Sequence, residues 1–164
     1  MLARTKAVLV AASALMLAGA AISAPPTPIF LAKAGASDLY ERTASQWILG
    51  NTRNPGVRRF ASMMVTDHSK STAMVKAAAM RSGVHPKPPM LDWKQKKMIA
   101  DLHHANARRR DALYIDQQKQ AHAEALGLMQ DYAATGSTPA LRRAAGNIVP
   151  VVQHHIEMLN ALPM

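Results

Sequence analysis

The chain has 164 residues, no cysteine and an excess of basic over acidic side chains that gives a formal charge of +10. Absence of cysteine excludes a disulfide framework and any thiolate metal site, and aromatics at 4% give little support to single-strand nucleic-acid binding, which needs stacking platforms. A charge of this sign suits a solvated basic face, with anionic envelope surfaces such as lipid head groups as a possible neighbour.

The first segment reads as a leader. Arg4 and Lys6 stand without an acid, Ala7 to Ala21 is almost wholly apolar, and small residues at Ser23 and Ala24 precede Pro25-Pro26. These are the parts of a secretory signal peptide, assigned to residues 1–24, with cleavage after Ser23 the best fit. Its apolar run is shorter than the ~20 residues of a spanning helix. The expected mature chain is a periplasmic domain over residues 28–162 with no transmembrane helix and a charge lower by the two lost basic residues.

Three segments open on a capping residue followed by proline: Thr27-Pro28, Asn54-Pro55 and Thr138-Pro139. A side-chain oxygen at the N-cap satisfies an orphan backbone N–H, and proline at the next position has no N–H to lose. The first helix is expected over about Pro28 to Leu49, and the second over about Pro55 to Ser82 with Gly83 just past its end. Three prolines in Val84 to Met90 make a stiff crossing loop. A short helix follows from Asp92 and fades near His103 to Asn106, a long one covers about Arg109 to Thr135, and the last runs from about Pro139 to Leu162. Two helical hairpins joined by a longer linker predict an all-α, ferritin-like four-helix bundle, with one crossover that carries a short extra helix.

Four helices place a polar group in the middle of an apolar stripe. His68 is central among Val57, Ala61, Met64, Ser71, Val75 and Ala78. His122 shares a face with Ala112, Ile115, Leu126 and Met129, with Gln118 or Lys119 near the line. His155 lies between Val152 and Leu159, and Glu41 lies between Ala34 and Ile48. Burying an unpaired polar group costs roughly 2–7 kcal/mol, so such groups need partners. At 1.5 Å per residue the four fall near mid-height of their helices and can converge.

Three imidazoles and a carboxylate suit a transition metal such as copper, iron or zinc. Asp67, Asp116, Glu124 and His154, with Glu157, lie close enough in sequence to serve as outer partners of the histidines. Met64, one turn before His68, could bias a site toward copper, or simply fill the core. A metal-free, hydrogen-bonded His/Glu network fits the same pattern. The chain then reads either as a metal-binding protein for storage, sensing or protection without turnover, or as a structural module that meets the envelope. His85, His103 and His104 read as surface residues. No phosphate loop, no nucleophile motif and no glycosidase carboxylate pair occurs, so nothing here argues for an enzyme.

These stretches resemble a family of exported bacterial proteins, the domain of unknown function 4142 family. The resemblance rests on Asp38-Leu-Tyr-Glu41, Asn54-Pro-Gly-Val-Arg-Arg-Phe-Ala61, Met63-Met-Val-Thr-Asp-His-Ser-Lys70, the Tyr114 to His122 segment, Thr138-Pro-Ala-Leu-Arg142 and Pro150-Val-Val-Gln-His-His155. It implies a ferritin-like helical bundle, and it marks Glu41, Asp67, His68, His122 and His155 as recurring polar positions. Tyr40 and Thr43 depart from the small and apolar residues usual around the family's first-helix glutamate. The Glu-x-x-His pattern of di-iron bundles is missing: Val65, Lys119 and Val152 stand three residues before the histidines. That disfavours oxygen-activating di-iron chemistry and favours a mononuclear site or none.

Overall fold

The computed structural model describes residues 23–162; the expected leader lies almost wholly outside them. Five helices and no strand occur among these residues: α1 (Thr27–Leu49), α2 (Pro55–Arg81), α3 (Trp93–His104), α4 (Ala107–Thr135) and α5 (Pro139–Ala161). Of these, none is long and apolar enough to cross a membrane.

The helix starts follow capping chemistry, though not always the expected residue. The Asn54 side chain accepts from the N–H groups of Gly56 and Val57 and caps α2. Thr27 does not cap α1; Pro26 holds that position, and Thr27 is already helical. The Thr27 hydroxyl is engaged elsewhere, 2.6 Å from the Tyr132 hydroxyl and 2.9 Å from that of Thr138. Thr138 therefore stands at the N-cap of α5 without a side-chain capping bond. Two caps carry the middle of the chain instead. Asp92 and Gln95 form a reciprocal capping box on α3, and Asn106 caps α4, which begins before the expected Arg109. At the end of α2, Gly83 adopts φ 71°, the left-handed conformation that glycine takes without a Cβ penalty.

The four long helices pack in a closed ring. α1 touches α2 and α4, and α5 touches α4 and α2. α3 lies over α1 and α4. The core has two apolar halves. One gathers Phe30, Ala34, Val75, Ala78, Met129, Tyr132, Leu141 and Ile148. The other gathers Tyr40, Ile48, Val57, Phe60, Met64, Tyr114, Ile115 and Leu159. Chain direction follows from these lists: α1 and α5 run from the first half to the second, α2 and α4 from the second to the first. Each long helix is thus antiparallel to both neighbours in the ring. α2 and α4 run the same way, so their connection spans the length of the molecule.

Gly136 ends α4 where no side chain fits. A Cβ there would come within 2.6 Å of the Tyr132 ring and carbonyl oxygen. Gly136→Ala is expected to lower stability by about 1–3 kcal/mol, as overpacking does, read from the urea midpoint. A change within experimental error would show that Tyr132 can move aside.

Candidate metal centre

Between the two apolar halves lies a layer of buried polar residues. α1 supplies Asp38 and Glu41, α2 supplies His68 and Ser71, α4 supplies Gln117, Gln118 and His122, and α5 supplies His155. In α2, α4 and α5 these positions fall between the residues that feed one apolar half and those that feed the other, and in α1 they flank Tyr40, the first residue of the second half. Phe60 packs against the layer from the second half, with ring centroids 6.4 Å from His122 and 6.3 Å from His155.

His68, His122 and His155 meet. Each offers one ring nitrogen to a group in which all such atoms lie within 4.8 Å of one another. The ring centroids are 5.4–5.6 Å apart. His122 Nε2 and His155 Nδ1 are 3.3 Å apart. Glu41 does not join this triplet: its Oε1 lies 3.5 Å from His122 Nδ1, on the far side of that ring. The three expected histidines thus converge, and Glu41, the expected fourth ligand, stands against the outer nitrogen of His122.

Each imidazole is held from outside by an acceptor. His68 Nδ1 donates to Asp38 Oδ1 at 2.8 Å. His122 Nδ1 donates to the Gln118 carbonyl oxygen at 2.8 Å. His155 Nε2 donates to Asp67 Oδ2 at 3.3 Å. A carbonyl or an ionised carboxylate can only accept, so the outer nitrogen of each ring carries the proton. In the neutral tautomers this leaves the inner nitrogens bare and turned toward each other. Anchoring each ring by its outer N–H is the arrangement that fixes metal-ligating histidines.

Burial sets the charge states. It pushes His122 down to about 3, helped by the nearby charge of His68. It also pushes His155 down to about 4, although Asp67 works the other way. Burial alone would lower His68 too, but the Asp38 hydrogen bond and the carboxylates of Glu41, Asp38 and Asp67 outweigh it and hold this ring above the usual range. Desolvation raises Glu41 to about 8, against the pull of His68 and the Gln118 amide. Asp67 is kept below the carboxylate range: partial desolvation is overcome by its bonds to Lys70 and His155.

The layer is incompletely satisfied by the protein. Both Glu41 oxygens, both Gln118 amide atoms, His68 Nε2 and Ser71 Oγ are buried and lack a protein hydrogen-bond partner. Native interiors rarely leave such groups unpaired; here the Glu41 carboxyl and the Gln118 amide lie close enough to act on each other.

The outer partners differ from the sequence expectation. Asp67 supports His155 rather than its neighbour His68, because adjacent residues on a helix point about 100° apart. Asp116 is exposed. Glu124 is exposed and pairs with Lys94 from α3. His154 is exposed, with only Glu157 near it at 3.8 Å. None of these three orients a buried ring. The partner that sequence reasoning missed is Asp38, which holds both His68 and, through Oδ2, the Thr72 hydroxyl. The sequence carries a partial signal for it, since Asp38 lies three residues before Glu41 and so near the same helical face.

No curated protein and no solved structure matches the chain at a significant level. A family profile described as Domain of unknown function (DUF4142) matches residues 12–162. That span takes in all five helices of the described residues and every residue of the polar layer, and the chain belongs to this family.

Proposed function

We propose that this protein is an exported, ferritin-like four-helix bundle that holds one transition-metal ion on His68, His122 and His155, for storage, sensing or protection and without turnover. The observation that carries the reading is the 3.3 Å separation of His122 Nε2 and His155 Nδ1, both bare in their anchored neutral tautomers. Two lone pairs at that distance repel unless a cation lies between them. Tetrahedral coordination with metal–nitrogen bonds of about 2.0–2.1 Å sets two ligand nitrogens roughly 3.3–3.4 Å apart. Imidazole is a ligand for copper, iron and zinc alike. Glu41, which burial keeps protonated up to about 8, can release that proton when a cation enters beside it and so offset part of the added charge.

The ferritin-like reading is supported by the full-length α2–α4 connection, which leaves two helices parallel and carries α3. Export is supported by the leader pattern of residues 1–24, and the basic excess suits an anionic envelope surface as neighbour. Of the buried atoms without a protein partner, His68 Nε2 is the one that the ion would take up directly.

The test is a calorimetric titration of the mature chain with Zn²⁺ and Cu²⁺, beside elemental analysis of protein purified without a nickel column. The expected result is one ion per chain. His122→Leu should abolish uptake while keeping the helical spectrum, since it removes one ligand and fills the same space. A wild-type chain that stays folded and takes up no metal would end this reading.

A further inference from the structure

The metal centre is sealed on most sides. Glu41, Phe60 and His122 are fully buried, and Met64 and Tyr114 close the layer from the second apolar half. One side differs. A cavity of about 20 Å³ lies here inside the ring of helices, lined by Asp67, His68 and Ser71 of α2 and by Val151, Val152 and His155 of α5, with residues of α1 and α4 closing it from the opposite side. That is room for one water-sized species. Two of the three proposed ligands form its inner wall, and Val151 and Asp67 form its outer rim. Val151 is exposed, and the Asp67 side chain is 24% exposed.

The polar atoms along this cavity are graded. At the rim, the Asp67 carboxylate reaches both solvent and His155 Nε2. Its other oxygen meets Lys70 Nζ at 3.0 Å, but that lysine is 70% exposed, and its hold is that of a solvated surface pair. Deeper, Ser71 Oγ is buried with no protein partner, and so is His68 Nε2. The part-exposed Asp67 carboxylate thus stands outside the buried Ser71 hydroxyl and His68 nitrogen on the same cavity. A hydrated cation sheds water one molecule at a time, and each protein oxygen can replace one that is lost.

Resting on the metal-binding reading, we propose that this cavity is the route by which a divalent cation reaches the three imidazoles, with Asp67 as the carboxylate on which it first docks. Asp67 has two duties on this account: it fixes the His155 tautomer, and it attracts the ion. The ion displaces Lys70 from the carboxylate, passes Ser71, and is taken by His68 and His155 before His122 closes the set.

The experiment is stopped-flow uptake of Zn²⁺ by the metal-free mature chain, followed with a chromophoric zinc indicator, together with the equilibrium stoichiometry of each variant. Val151→Trp, which touches no ligand atom, should slow uptake at least tenfold and leave one ion bound at equilibrium. Asp67→Asn keeps an acceptor for His155 but removes the charge, so its uptake should slow and lose much of its dependence on salt. Asp116→Asn, on the exposed face of α4, should match wild type. Full binding in all variants with unaltered rates would overturn the route and leave the metal centre standing. Failure of the wild-type chain to bind Zn²⁺, Cu²⁺ or Fe²⁺ would overturn both.

Discussion

A Phe60→Ala chain should lose about 3–5 kcal/mol of unfolding free energy, the usual cost of emptying a buried aromatic site. Phe60 is fully buried, and its ring meets Tyr114 edge-on at 6.3 Å while lying against both His122 and His155. It is thus the apolar wall that keeps solvent from two of the three imidazoles. The space it leaves adjoins polar nitrogens, so water should fill it. Urea denaturation gives the energy. The second sign is electrostatic: with water beside them, His122 and His155 should titrate nearer the ordinary histidine range, visible in the proton NMR of their ring signals. A loss under about 1 kcal/mol with unmoved histidines would show that neighbouring side chains, not Phe60, keep the site dry.

The metal-free protein should be most stable near pH 6.5 and lose stability on both sides. His122 and His155 have an ordinary value of 6.5 but stay neutral in the fold down to about 3 and about 4. Below pH 6.5 the unfolded chain therefore binds two protons that the folded chain refuses. Glu41 opposes them, because the unfolded carboxyl releases its proton near 4.5 and the folded one near 8. Two outweigh one, so stability rises with pH from about 4.5 to 6.5. Above pH 6.5 the histidine contribution is complete. Glu41, and His68 whose value is also raised, then favour the protonated fold, so stability declines toward pH 8. Thermal melts across this range, with chelator present, check the shape. Zn²⁺ at a thousand times its Kd should add ~4 kcal/mol, and at a fixed Zn²⁺ concentration the gain should grow as pH rises, because ligation must expel the proton that His68 holds. A flat profile between about pH 5 and 8 would mean that the layer is hydrated and its groups unperturbed.

Much of this organisation is legible in the sequence, for a definite reason. Each helix carries its apolar stripe at steps of three and four, and a polar group inside such a stripe points to the same interior as its neighbours. That places His68, His122 and His155 without a structure, and the prolines in the crossing loop separate the two hairpins. Three things escaped. Asp38 lies a little aside from the stripe drawn through Ser37 and Glu41, so its reach toward α2 depended on the actual packing of α1 on α2. Asp67 was assigned to the ring beside it in sequence, whereas its helical angle sends it to α5. Glu41 shares the height of the histidines, but height along an axis does not say on which side of a ring a carboxylate falls. Thr27 shows the same limit at a helix end: its hydroxyl had both a local use as a cap and a distant one with Tyr132, and the tertiary contact prevailed.

The division of the core into two apolar halves with a polar layer between them also acts as a ruler. Hydrocarbon surfaces slide past one another at little cost, and four long helices with purely apolar stripes could settle one turn out of step. A shift of that size here would move His68, His122 or His155 about 5.4 Å along the axis. It would part His68 from Asp38 and His155 from Asp67, would carry His122 with its own Gln118 carbonyl away from His155, and would press the rings into Met129 and Ile148 on one side or Phe60 and Ile115 on the other. An all-leucine layer would remove that penalty and with it the alignment, much as a single buried polar residue fixes register in coiled coils at some expense of stability.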